Sequence, residues 1–154
     1  MAEFQAELVF NHPVAVVFDF HITPANLVRL LPSDTPAQLV EAPLKLELDQ
    51  EFELQVIVWG ISQQLRYRVL DCSDPHQLIT QQIKGPFRAW REVHRFQPTE
   101  QGGTRLQYAV QFEPPGGMLG LMMNAKKVVA NLEKVIPYRQ QRTQELLDQH
   151  RLDS

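Results

Sequence analysis

Apolar residues recur at every second position through most of the chain between residues 38 and 113, and this alternation constrains the fold more than any other feature. Successive side chains of a β-strand point to opposite faces, so each alternating run predicts a strand with one buried face. The clearest run is Thr104–Glu113, in which every second residue from Leu106 to Phe112 is apolar or aromatic. Short turns such as Gln101–Gly103 separate the runs, which indicates an antiparallel meander of about six strands.

The candidate strands in this region share strand length and polar boundaries, and Leu78–Lys84 differs from the alternating runs as a mixture of β-branched and polar residues. The candidates are Gln38–Ala42, Leu44–Leu48, Phe52–Val58, Leu65–Val69, Leu78–Lys84, Phe87–Phe96 and Thr104–Glu113. A further strand is predicted at Glu3–Phe10, where the even-numbered positions are all apolar. With about six strands formed from these runs and one from Glu3–Phe10, the sheet is expected to contain about seven strands.

Two short helices are expected between the first strand and the meander. Asn11 is a candidate cap and Pro13 a first-turn residue for a helix over Val14–Phe20. Thr23 followed by Pro24 gives the same signal for a second short helix that ends near Leu31.

A long C-terminal helix is predicted after the sheet. Pro114–Gly117 breaks the alternation, and apolar residues then recur at helical spacing to about residue 149. Pro137 lies inside this run and removes one backbone hydrogen bond, so we expect one helix kinked there or two shorter helices.

These elements predict an α+β fold in which a curved antiparallel sheet encloses the last helix. A twisted sheet of seven strands does not stay flat, and only the C-terminal helix is long and amphipathic enough to cover its concave face. At 154 residues the chain is expected to form a single domain over residues 1–154. A curved sheet around one helix tends to leave a gap, which either side chains or a ligand must fill.

Composition narrows the range of functions. The net charge is −3 and the basic residues are scattered, so no basic stripe indicates nucleic-acid binding. The apolar runs are too short for a membrane span, and the first residues have no signal-peptide pattern, so we expect a cytoplasmic protein. Cys72 is the single cysteine, which excludes an internal disulfide and a cysteine-rich zinc site. No metal or cofactor motif is present, and none is expected.

Two blocks of sequence resemble a known superfamily. The first comprises Pro13, Val17-Phe18, the pattern Phe20-His21-x-x-Pro24-x-Asn26-Leu27, and Leu30-x-Pro32. The second is Gly85-Pro86-Phe87-x-x-Trp90-x-x-x-His94-x-Phe96, followed by Gly103-Thr104, Pro115-Gly116-x-x-x-Gly120 and Tyr138-Arg139. Together they are similar to the helix-grip fold of the START-like and polyketide cyclase/dehydrase-like proteins, in particular the bacterial ligand-binding members.

This resemblance implies a START-like domain that binds a small hydrophobic or amphipathic molecule between the curved sheet and the last helix. The expected apolar lining is Trp90, Phe112, Met118 and Met122, and the expected polar contacts are Tyr67, Glu92, His94 and Tyr108. The methionines follow a Gly-Gly pair, so they predict either ordinary helix packing or a flexible lid over the pocket.

Glu92 and His94 are the candidates for chemistry, because they share one face of a predicted strand with Trp90 and Phe96. Arg91 and Arg95 occupy the opposite face and favour water, so the Glu92 face is predicted to point inward. The pair has three possible roles: a structural hydrogen-bonded pair, a polar anchor for a ligand, or an acid–base pair acting on an enol or phenol.

The remaining histidines give weaker signals. His21 ends the first short helix and is interpreted as a cap or surface group, while His12, His76 and His150 have no metal-site spacing.

Three functions remain open from the sequence. The domain is expected to carry or sense a small hydrophobic ligand; the alternatives are a cyclase or dehydratase using Glu92 and His94, or an interaction module with a filled core. The partner is thus a small molecule, and the chain is a monomer or a homodimer. An exposed Ile57 or Trp59 would mark a contact between copies.

Overall fold

Seven strands form one antiparallel sheet in the computed structural model, which describes residues 1–58 and 60–153. The strands are β1 (Ala2–Phe10), β2 (Ala37–Glu41), β3 (Glu51–Val58), β4 (Ile61–Ser73), β5 (Gln77–Lys84), β6 (Ala89–Pro98) and β7 (Thr104–Glu113). Their spatial order is β1-β7-β6-β5-β4-β3-β2. Strands β2 to β7 therefore pair with their neighbours in sequence, which confirms the predicted meander, and β1 pairs with β7.

The helices lie between β1 and β2 and after β7. They are α1 (Val14–His21), α2 (Pro24–Leu27), α3 (Gly117–Met122) and α4 (Ala125–Asp153), with a 3-10 turn over Val28–Leu30 directly after α2. This arrangement confirms the predicted α+β helix-grip fold with two short helices after the first strand. Among the described helices, none combines the length and the apolar character that a membrane crossing needs.

The segment Leu44–Leu48, expected as a strand, is a loop. Leu46 is buried and its backbone N–H donates to the Ile22 carbonyl at 2.7 Å, whereas Leu44 is 90% exposed. One leucine thus anchors the loop to the end of α1. In this segment the alternating sequence pattern reflects one buried leucine and not the buried face of a strand.

The expected cap at Asn11 is also wrong. Pro13 precedes the first turn of α1, and no side chain caps that helix. The Asn11 backbone N–H donates instead to Gln144 Oε1 on α4, at 3.1 Å. The residue therefore ties the end of β1 to the C-terminal helix.

The C-terminal helical region is interrupted before Pro137. Helix α3 ends at Met122, and Asn124 caps α4 by accepting a hydrogen bond from the Lys127 N–H at 2.9 Å. Helix α4 then continues through Pro137 to Asp153. Pro137 is exposed, so the carbonyl that loses its partner is close to water.

The core lies between the inner face of the sheet and α4. The helix contributes a stripe of buried residues that includes Leu132, Ile136 and Leu146. Its second half is joined to β1 and the loop after it: Gln140 Nε2 donates to the Val9 carbonyl at 3.0 Å, and His12 Nε2 lies 2.8 Å from an Asp148 oxygen. These contacts hold α4 across the concave face.

Irregular pairing between β4 and β5 accompanies the curvature of the sheet. The register shifts between Arg66 and Tyr67, and again between Val69 and Asp71. Such bulges bend the bulged strand and increase its twist.

The contact surface expected at Ile57 and Trp59 stays a prediction. Ile57 is 42% exposed, and Trp59 lies outside the described residues.

Candidate functional site

The residues of β6 that were predicted to contact a ligand lie on the inner face of that strand. Trp90, Glu92 and His94 are all at least half-buried, whereas Arg91 and Arg95 are exposed on the opposite face. The two arginines therefore identified the outer face correctly, because exposed guanidinium groups keep their hydration.

Strand pairing brings polar side chains of four strands together. Tyr67 on β4 pairs with Gln82 on β5, and His94 on β6 pairs with Tyr108 on β7. Glu92 is two residues before His94 on the same face and pairs with Thr80. The result is a band of polar groups across an otherwise apolar concave surface.

Four buried side-chain atoms in the described part of the chain have no hydrogen-bond partner. They are Gln82 Oε1, His94 Nδ1, the Tyr108 hydroxyl and Arg139 Nε. Three belong to the band on the sheet, and the fourth comes from α4, which covers that sheet face. Buried polar atoms in folded proteins are normally paired, so this concentration of unpaired atoms needs a physical explanation.

An aromatic cluster lies beside the polar band. Trp90 packs against Phe87 and Phe112, with ring centroids 4.7 Å and 5.7 Å away. The Trp90 Nε1–H donates to Glu92 Oε1 at 2.6 Å, a hydrogen bond that fixes the carboxylate at the border of the cluster. Predicted lining residues Trp90 and Phe112 are thus in contact with each other, and Glu92 joins them to the polar band.

His94 has a second histidine as its neighbour. The rings of His21 and His94 are 5.8 Å apart, and His21 is only 7% exposed. The interpretation of His21 as a cap or surface group was wrong, because α1 turns its last residue inward against β6. The His21 Nδ1–H donates to the Val17 carbonyl at 2.8 Å, which fixes the orientation of the ring.

Both histidines are neutral at physiological pH. Burial lowers the pKa of His94 to about 4, and the positive charge of Arg139 adds to this effect; the Leu78 carbonyl opposes it without outweighing it. Burial also lowers the pKa of His21 to about 3, with His94 and Arg139 as further causes and the Val17 carbonyl opposing.

The two tyrosines are held in their neutral form. Burial raises the pKa of Tyr67 and Tyr108, and the negative charge of Glu92 raises both further. Gln82 Nε2 donates to the Tyr67 hydroxyl at 3.5 Å, and Tyr67 stacks on Phe52. Tyr108 is only 3% exposed, and its hydroxyl has no hydrogen bond of good geometry, although it is near enough to Glu92 for hydrogen bonding to that carboxylate to raise the Tyr108 pKa as well. Both phenols can therefore donate to a polar group placed between them and α4.

Gln82 and Arg139 were not predicted as site residues from the sequence, and His21 was assigned to the surface, although the spacing of all three carried a signal. Gln82 continues the inner face of β5 after Leu78 and Thr80. Arg139 is three residues after the buried Ile136, on the same face of a helix. His21 is four residues after the buried Val17.

Met118 and Met122 are not brought into this cluster. They lie on α3 and are 84% and 55% exposed, respectively. Gly117 at the start of α3 has a φ of 62°, a backbone conformation that favours glycine. The expectation that the methionines line a pocket therefore requires a different placement of α3.

A surface groove of about 410 Å³ lies elsewhere, between the 3-10 turn and α4. Its walls include Arg29, Arg142 and Glu145. Charged walls open to solvent suit a hydrophobic molecule less well than the interior band does. Within residues 1–58 and 60–153, no three potential metal ligands are grouped together.

Comparisons with known proteins agree with this architecture. Residues 10–131 match the family model described as polyketide cyclase/dehydrase and lipid transport. No functionally curated protein matches the chain.

Solved bacterial structures share the fold at low identity. Protein CV1439 from Chromobacterium violaceum is 11% identical, with 94% of this chain and 96% of that chain covered and a TM-score of 0.74. Protein NE0264 from Nitrosomonas europaea is 18% identical, with 97% and 96% covered and a TM-score of 0.73. At these identities the likeness concerns the fold alone. Together with the family match, it identifies the chain as a member of the polyketide cyclase/dehydrase and lipid transport family, within the START-like superfamily.

Proposed function

We propose that this domain binds a small hydrophobic or amphipathic molecule between the curved sheet and α4, for carriage or sensing. The observation that carries the proposal is the group of unpaired polar atoms at Gln82, His94, Tyr108 and Arg139, all inaccessible to solvent. An unpaired buried polar group costs about 1–3 kcal/mol. A bound molecule with a few polar atoms would satisfy several of them at once.

The surroundings of the polar band support an apolar body for that molecule. The Trp90 cluster lies on one side, and the edge-to-face pair of Phe18 and Phe96, with centroids 5.2 Å apart, lies on the other. Small-molecule sites commonly combine apolar walls with a few polar groups that set orientation. Trp90 and Phe112 would provide wall, whereas Tyr67, Glu92, His94 and Tyr108 would orient the ligand. Met118 and Met122 would contact it only if α3 closed over the site.

Native mass spectrometry of the purified protein tests this proposal. We expect a co-purified small molecule, or, after its removal, stoichiometric binding of the neutral fluorescent probe N-phenyl-1-naphthylamine. Thr80→Phe fills the inner face next to Glu92 and should abolish binding. Ile79→Phe adds the same ring on the outer face of β5 and should leave binding intact.

Two results would contradict ligand binding. Wild-type protein that carries no molecule and does not bind the probe would favour an interaction module with a filled core. Equal probe binding by wild type and a folded Thr80→Phe variant would place the probe outside the interior.

A cyclase- or dehydratase-type activity is the second candidate. Its specific support is geometric: the buried His94 Nδ1 has no hydrogen-bond partner, and the Glu92 carboxylate is on the same strand face. A neutral imidazole can accept a proton from an enol or phenol.

The variant His94→Ala tests this second function. For an enzyme, it should abolish turnover of a polyketone substrate while the melting temperature stays nearly unchanged. His76→Ala, in an exposed loop, is the control. Equal losses of turnover and stability in His94→Ala would instead assign His94 a structural role.

A further inference from the structure

Arg139 is placed on the buried face of α4. It lies between Ile136, three residues earlier, and Thr143, four residues later, and both of these are less than 5% exposed. Residues three and four apart share one helix face, so Arg139 belongs to the stripe that covers the sheet. Its Nε atom is inaccessible to solvent and has no hydrogen-bond partner.

The positive charge of Arg139 acts on the polar band of the sheet. It lowers the pKa of His21 and His94, and it opposes the rise in the pKa of Tyr67 and Tyr108. The charge of one guanidinium group thus acts on side chains from α1, β4, β6 and β7.

No carboxylate neutralises this guanidinium group within the described residues. Arg66, Arg88 and Arg142 each have a carboxylate oxygen within 4 Å, and Arg139 has none. A partly buried cation without a counter-charge is unfavourable, and a guanidinium group fits a planar oxyanion through two parallel hydrogen bonds.

The Glu92 carboxylate does not occupy this position. One of its oxygens accepts the hydrogen bond from the Trp90 N–H at 2.6 Å, and no ion pair within 4 Å joins it to Arg139 among the described residues. The Tyr108 hydroxyl, beside His94, has no hydrogen bond of good geometry and can turn to donate to the same oxyanion.

We propose that Arg139 anchors a carboxylate carried by the ligand, whose apolar body extends toward Trp90 and Phe112. This inference rests on the proposed ligand-binding function and specifies the ligand class as a hydrophobic carboxylic acid. Arg139 is then the group that determines specificity, and Tyr108 is its partner on the sheet.

Displacement of N-phenyl-1-naphthylamine by decanoate and by 1-decanol tests the inference, because the two competitors differ only in their head group. Wild-type protein should release the probe at a decanoate concentration about tenfold lower than for decanol, as a charge-assisted pair implies. Arg139→Gln should reduce this advantage to less than about threefold, with both competitors measured against the variant's own affinity for the probe. Arg139→Lys, which keeps the charge but not the planar fork, should retain part of it.

Arg142→Gln is the matched control on the same helix, since Arg142 pairs with Glu145 at 3.3 Å, away from the band. It should preserve the full preference for decanoate. If wild-type protein binds the probe but prefers decanol or shows no preference, the carboxylate assignment is overturned and ligand binding stands. If the wild type does not bind the probe at all, the proposed function itself fails. The wild-type comparison decides the matter even if Arg139→Gln does not fold.

Discussion

His94 on β6 and Tyr108 on β7 pair directly across the two strands, with their ring centroids 5.1 Å apart, and each carries a buried polar atom without a hydrogen-bond partner. Two such groups side by side are unfavourable for folding, since the interior offers them none of the hydrogen bonds that water provides. The arrangement is understandable if the site is organised for a bound molecule. It also leads to specific expectations for the free protein.

The buried histidines predict a loss of stability at mildly acidic pH. Above about pH 6.5 the folded and unfolded chains both carry neutral histidines, so these groups have no effect. Below that pH the unfolded chain takes up protons, whereas His94 and His21 in the folded chain do not until about pH 4 and 3. The free energy of unfolding should therefore fall by roughly 1–2 kcal/mol per histidine between pH 6.5 and 5.

Urea denaturation at several pH values measures this effect. His94→Gln should lose less stability than wild type over the same interval, and His76→Gln, in an exposed loop, should behave like wild type. A pH dependence in His94→Gln as steep as that of wild type would mean that His94 is not the group responsible.

The hydrogen bond between Trp90 and Glu92 should stabilise the fold because Glu92 supplies an acceptor oxygen, and not because Glu92 is negatively charged. Glu92→Gln keeps an oxygen that can accept from the Trp90 N–H, whereas Glu92→Leu leaves that N–H without a partner. We expect Glu92→Leu to lose about 1–2 kcal/mol and Glu92→Gln less than half of that. Chemical denaturation followed by circular dichroism distinguishes them; equal losses would assign the effect to the charge.

The fold was largely predictable because the alternating pattern that predicts a strand also shows which of its faces is buried, and β7 is the clearest case. The predicted and observed bounds of that strand, Thr104–Glu113, coincide. The alternating pattern at Leu44–Leu48 predicted a strand that does not form, because only Leu46 is buried and no neighbouring strand forms hydrogen bonds with this segment. A short alternating run does not reveal whether a partner strand is present.

Within the site, the sequence predicted only the residues whose orientation follows from alternation within one strand. Arg91 and Arg95 showed which face of β6 points outward, and so located Glu92 and His94. His21 and Arg139 approach the same place from α1 and α4, and their positions depend on how those helices pack on the sheet. That packing is a tertiary property, which spacing within one element does not reveal.

A buried threonine connects the start of β7 to the loop after β1. Thr104 is fully buried, and its hydroxyl donates to the His12 carbonyl at 2.7 Å. Thr104→Val keeps the shape but leaves that carbonyl unpaired, so the free energy of unfolding should fall by about 1–3 kcal/mol. Thr35→Val removes an exposed hydroxyl contact with Asp34 and should change stability by less than about 0.5 kcal/mol in the same denaturation experiment. A Thr104→Val variant as stable as wild type would show that the His12 carbonyl needs no donor.

Removal of the Tyr108 hydroxyl should weaken ligand binding without lowering the free energy of unfolding. Because this buried hydroxyl has no hydrogen bond of good geometry in the free protein, Tyr108→Phe should leave the free energy of unfolding unchanged or raise it by up to about 1 kcal/mol. The same variant should weaken decanoate binding, since it removes a donor that faces the ligand. Tyr138→Phe, at an exposed position of α4, should affect neither property. A loss of stability above about 1 kcal/mol in Tyr108→Phe would show instead that the Glu92 carboxylate already holds this hydroxyl, and the polar band would then be a structural network.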